Sequence, residues 1–139
     1  MQNATSAAII INRPPAEVFA WLTDFDTWPQ WGGGNLVSMK QVSAGPLQAG
    51  SQLRQVNQTG RKPTETLVQV TDFVPDRTFG IERPNLRGTF TLEPVMTGTQ
   101  LNAVFEVDAA GLSALMYRLF IKRFVMNDLR KLKALIEAR

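Results

Sequence analysis

Neither cysteine nor histidine occurs among the 139 residues of this chain. The first absence excludes disulfides, a thiolate nucleophile, cysteine-ligated zinc and iron–sulfur clusters. The second excludes a Ser-His-Asp triad and imidazole metal ligands, and removes the one side chain that ordinarily titrates near neutrality. Catalysis, if there is any, is left to carboxylates, lysine, tyrosine, hydroxyls, bound water or placement alone, and no metal or cofactor is expected. Long apolar runs are missing as well. The longest clear one, Ala7 to Ile11, is strand-sized, far below the ~20 residues of a membrane-crossing helix. Met1-Gln2-Asn3 lacks the basic flank of a secretory signal, so a cytoplasmic protein is expected, consistent with the lack of cysteine.

What is present is the composition of a globular domain, 44% hydrophobic and 19% charged, and the length suits one domain over residues 1–139. The β-branched run Ala7-Ala8-Ile9-Ile10-Ile11 predicts a first strand over 5–12, stopped by Pro14-Pro15. Pro15 suits the first turn of a helix and Glu17 complements its N-terminus; Val18, Leu22 and Phe25 keep helical spacing over 15–24. Asp26 to Trp31 predicts a second short helix with Asp26 as its N-cap, closed by Gly32-Gly33-Gly34. From Leu36 to Asp108, short alternating segments are separated by Ala44-Gly45-Pro46, Thr59-Gly60, Pro75-Asp76, Pro84-Asn85 and Thr97-Gly98. Connections this short make hairpins, so six antiparallel strands are expected. Leu112 to Ala138 contains neither proline nor glycine and predicts one long helix. The fold class is α+β, ordered β-α-α-β6-α.

Several segments resemble the START-like/Bet v 1-like (SRPBCC) superfamily, and within it the polyketide cyclase/dehydrase and lipid-transport family. They are Arg13-Pro14-Pro15-Ala16-Glu17-Val18-Phe19 at the helix entry, Leu22-Thr23-Asp24 followed by Trp28-Pro29-Gln30-Trp31, and the strand start at Gly50. The turn from Val70 to Arg77 and Glu93-Pro94 leading to Gly98-Thr99 complete the likeness. The resemblance implies a helix-grip fold, a curved antiparallel sheet wrapped around the C-terminal helix with a hydrophobic cavity between them. It further implies binding or transport of a small hydrophobic ligand of lipid, polyketide or aromatic type, or cyclase/dehydratase chemistry carried out by positioning the substrate.

Strand alternation supplies candidate residues for such a cavity. Val68, Val70, Phe79, Ile81, Phe90, Leu92 and Phe105 share the expected inner face, and Ile121 comes from the inward stripe of the long helix. Polar residues in phase with them say more, because an unpaired buried polar group costs about 1–3 kcal/mol. Gln55 and Asn57 follow Leu53, Arg83 follows Phe79 and Ile81, and Asp72 follows Val70. Gln55, Asn57 and Arg83 are the candidates for bonding a ligand oxygen. Tyr117, the only tyrosine, joins them and, with Arg83, is a candidate for moving protons in the enzymatic alternative. Whether the protein is an enzyme is left open by the sequence, with binding favoured.

Charge is unevenly placed. Residues 112–139 carry seven basic side chains against Asp128 and Glu137, a local +5 on a chain of net +3. Ile121, Val125, Leu129, Leu132 and Ile136 form an inward stripe, while Leu112, Leu115, Met116, Leu119 and Met126 lie roughly opposite among Lys122 and Arg123. Leu115, Leu119, Lys122, Arg123 and Met126 therefore form a candidate surface for an anionic membrane or a second copy of the chain. Nucleic acid is not expected, since the strands carry no aromatic platform among basic residues and the outer sheet face holds Glu93 and Glu106.

Overall fold

The structure, a computed structural model, describes residues 3–108 and 114–139. Strand β1 (Asn3–Ile11) leads into helix α1 (Pro15–Thr23) and a 3₁₀ helix (Phe25–Gln30). Six strands follow: β2 (Leu36–Gln41), β3 (Gln52–Thr59), β4 (Lys62–Val74), β5 (Thr78–Arg83), β6 (Leu86–Val95) and β7 (Gly98–Val107). Helix α2 (Ala114–Glu137) closes the order, which is β-α-α-β6-α as expected. The first residues assigned to the long helix, Leu112 and Ser113, lie outside the described residues.

All neighbouring strands are antiparallel, in the order β1-β7-β6-β5-β4-β3-β2. Sequence neighbours β1 and β2 thus occupy opposite edges, and α1 with the 3₁₀ helix spans the sheet between them. This is the helix-grip arrangement. One face of the sheet buries Ile11, Leu53, Val68, Val70, Phe79, Leu92, Leu101 and Ala103. Helix α2 presents Val125, Leu129, Leu132 and Ile136 to that core, and α1 presents Val18, Phe19 and Leu22.

Two local expectations are corrected. The cap of the 3₁₀ helix is Asp24, whose carboxylate accepts from the Asp26 amide at 3.2 Å. Asp26 is already inside the helix, so capping falls to the last residue with extended backbone before it. Asp72 does not share the inner face with Val70. A register shift between these two residues interrupts the alternation, so Asp72 is exposed and Phe73 turns to the core beside Phe19 and Phe79.

The C-terminal turn of α2 is fixed to β1 and to the loop after it. Arg13 Nη2 donates to the carbonyls of Glu137 and Arg139, both at 2.8 Å, meeting acceptors that the helix end leaves unpaired. Lys133 Nζ donates at 2.6 Å to the Ile10 carbonyl and to Glu137 Oε2, which also accepts from the Asn12 amide. The Arg139 guanidinium lies 5.1 Å from the centre of the Trp21 ring.

Candidate functional site

Between the sheet and the middle of α2 lies a cleft of about 220 Å³. Its aromatic wall is built from sequentially distant pieces. Trp28 and Trp31 come from the 3₁₀ helix and its end, with ring centres 4.7 Å apart. Phe90 of β6 meets both edge-on, at 6.3 and 6.4 Å, and Phe105 of β7 meets Phe90 at 5.9 Å. The indole N–H groups point elsewhere: Trp28 donates to the Leu22 carbonyl at 2.9 Å, and Trp31 to Thr27 Oγ1 at 3.3 Å. The rings therefore offer the cleft apolar surface only.

Polar groups enter from β3 and β5. Gln55 Nε2 donates to Asn57 Oδ1 at 2.8 Å, and Asn57 Nδ2 donates to Asn35 Oδ1 at 3.1 Å, a relay along one side of the cleft. Arg83 lies at the end of β5, half-buried, and its guanidinium makes no hydrogen bond or ion pair with another described residue. Arg83 also lines a larger depression of about 320 Å³ with Gln52, Leu67, Gln69 and Glu82, on the outer face of the sheet and without an aromatic wall.

Helix α2 contributes Ile121, Phe124, Val125 and Asp128. Burial pushes the Asp128 carboxyl up to about 6, against the lowering effects of the Lys131 charge and of the nearby Gly33 backbone. Gly33, which lines the same cleft, has φ of 104°, a conformation that suits glycine.

Of the residues singled out in the sequence, the fold brings Gln55, Asn57, Ile81, Arg83, Phe90, Phe105 and Ile121 together on this cleft. Val68, Val70, Phe79 and Leu92 are buried in the core instead and do not line it. The reason is that the short helices pack down on that part of the sheet: Phe79 is enclosed by Phe25, Phe73 and Trp28. The side chains of Tyr117 and Leu115 lie outside the described ones. Sequence reasoning missed Trp28, Trp31, Phe124 and above all Asp128 as cleft residues. The signal for Asp128 was its phase, three residues after Val125 and four before Leu132 on the inward stripe, where a carboxylate is out of place.

Along the N-terminal half of α2, Met116, Leu119, Phe120 and Phe124 are exposed by 51–64%, next to the exposed Lys122 and Arg123. Met126, grouped with that outward stripe in the sequence, is half-buried against the core. It adjoins Val125 and flanks the inward stripe, facing β1. No described helix is long and apolar enough to cross a membrane. Among the described residues, no cluster of acidic side chains could hold a metal ion.

A family model described as polyketide cyclase/dehydrase and lipid transport matches residues 2–137. Among solved structures, a protein from Nitrosomonas europaea superposes with a TM-score of 0.81 at 13% identity, over 98% of this chain and 95% of that one. A protein of unknown function from Staphylococcus aureus gives 0.79 at 14% identity, over 97% and 93%. The di-domain ARO/CYC BexL, from the BE-7585A biosynthetic pathway, gives 0.79 at 16% identity, with 98% of this chain covering 47% of that one. A search of curated proteins finds no match.

Proposed function

The chain belongs to the polyketide cyclase/dehydrase and lipid transport family, and from that premise we propose that it binds a small hydrophobic molecule of aromatic type in the cleft between sheet and α2. The observation that carries this reading is an aromatic-walled cleft of about 220 Å³ that Arg83 also lines, its guanidinium making no hydrogen bond or ion pair with another described residue. Apolar burial supplies affinity at about 25 cal/mol per Å², and Gln55, Asn57 and Arg83 fix orientation. Native mass spectrometry of freshly purified protein, followed by titration with naphthalene-type ligands, tests it. A co-purified apolar ligand or micromolar binding is expected; no binding of any aromatic probe would sink it.

The same cleft supports an enzymatic alternative, cyclisation or dehydration of a polyketide-like substrate held in a reactive conformer. BexL, described as an ARO/CYC, is the relative that favours it. The two uses separate by turnover: an enzyme loses turnover, with little loss of binding, on replacement of Arg83 or Tyr117, whereas a carrier shows none to lose.

The exposed face of α2 supports a docking role beside the binding one. Leu119 and Phe120 stand next to Lys122 and Arg123, a pairing of apolar and basic groups that fits an anionic membrane surface. Co-sedimentation with phosphatidylglycerol-containing vesicles, weakened by salt, is expected. A dimer on sizing with no lipid preference would assign this face to a second copy of the chain instead.

A further inference from the structure

The proposed binding role leaves the chemical class of the ligand open, and the cleft itself narrows it. At the packing density of a protein interior, ~0.75, about 220 Å³ holds roughly 160 Å³ of molecule, about a dozen non-hydrogen atoms. That is one or two aromatic rings held within the cleft.

The polar groups narrow it further. Asp128 enters from the helix wall and Arg83 from the sheet wall of the same cleft, and no ion pair joins them. An accepting group on a ligand is matched by Arg83 on the sheet side, and a donating group by Asp128 on the helix side. A neutral ligand that donates on the helix side and accepts on the sheet side satisfies both. The Asp128 carboxylate has about four acceptor sites, and no described side chain donates to it or pairs with it. The charge that acts on it is Lys131 on its own helix; Arg83 of β5 lines the same cleft, Gln55 and Asn57 of β3 are neutral, and β6 and β7 present Phe90 and Phe105.

We infer that this cleft is selective for a one- or two-ring aromatic molecule bearing a hydroxyl, and that Asp128 is the acceptor that reads that hydroxyl. The inference rests on the binding role proposed above and adds to it a specificity-determining residue. A charged acceptor in a half-buried site makes a stronger hydrogen bond than a neutral one, so removing the charge or the donor costs about tenfold in affinity. Because the carboxyl titrates at about 6, the preference is present at neutral pH and is lost as the pH falls through that value.

Calorimetric titration with 2-naphthol and with 2-methoxynaphthalene, at about pH 7.5 and about pH 5, tests this in the wild-type protein and in Asp128→Asn. The wild-type protein should favour the naphthol about tenfold at the higher pH and less than about threefold at the lower. Asp128→Asn should bind both probes within about threefold of each other at both pH values. The wild-type pH series reads the same contact without a variant. Equal wild-type affinities at the higher pH, or a preference that Asp128→Asn retains, would overturn the inference while leaving the binding role standing. Binding of neither probe would overturn the binding role and the inference together.

Discussion

Gly88 and Phe105 are register partners on β6 and β7, and the Phe105 ring fills the space in which a side chain at position 88 would stand. A Cβ there would meet Phe105 Cε1 at 2.8 Å. The glycine lets one cleft aromatic lie close against the sheet, beside Phe90.

Gly88→Ala should therefore push the Phe105 ring into the cleft. The expected cost is about 1–2 kcal/mol of stability from overpacking, with weaker binding of any aromatic ligand. Thermal melts and ligand titration of the same sample check both; an unchanged affinity would show that Phe105 can yield in another direction.

Phe124 and Phe79 should part company. Phe124 lines the cleft yet is 61% exposed, so Phe124→Ala should weaken ligand binding about three- to tenfold and leave the melting temperature nearly unchanged. Phe79 is fully buried among three aromatic rings, so Phe79→Ala should cost about 3–5 kcal/mol. Denaturant unfolding separates the two.

Asp128 should set a pH dependence of stability. Its carboxyl is raised from 3.8 to about 6 on folding, so between those values the folded state binds more protons than the unfolded. Stability should then fall as pH rises through that window. Discounted for the part exposure of the group, the loss is about 1–2 kcal/mol. Asp128→Asn should abolish the slope and stabilise the protein at pH above about 6, in melts recorded as a pH series.

Glu137 should act in the opposite sense. Its carboxyl is held below the usual carboxylate value, first by the hydrogen bond from Lys133 and then by the Asn12 amide. The contribution is present above its unfolded value of 4.5 and is lost as pH falls through the lower folded value. Hydrogen exchange in the last turn of α2 should accelerate at acid pH, and Arg13→Ala should accelerate it at neutral pH.

The order of elements was legible because each boundary carried local chemistry: paired prolines before α1, turn residues at every hairpin, and an uninterrupted helical stretch at the end. The cleft was legible in part. Gln55, Asn57 and Arg83 could be assigned because each continues the phase of apolar neighbours along an uninterrupted strand. Asp72 could not, because a register shift leaves no trace in composition. Val68, Val70, Phe79 and Leu92 share a face with cleft residues. What separates them is where α1 and the 3₁₀ helix come down on the sheet, and strand periodicity carries no information about that. Asp128 was visible as a charge but not as a wall, since its meaning depends on the loop at Gly33.

The ties that hold the last turn of α2 to Ile10, Asn12 and Arg13 make that end of the helix a fulcrum. A rigid rotation about it displaces each residue in proportion to its distance along the axis. Taking Ile136 as the pivot, Asp128 lies about 12 Å away and Leu119 about 25 Å, at 1.5 Å per residue. Any widening of the cleft at Asp128 is therefore roughly doubled at Leu119, on the exposed face beside Lys122 and Arg123. The geometry links the filling of an interior site to the posture of an exterior one.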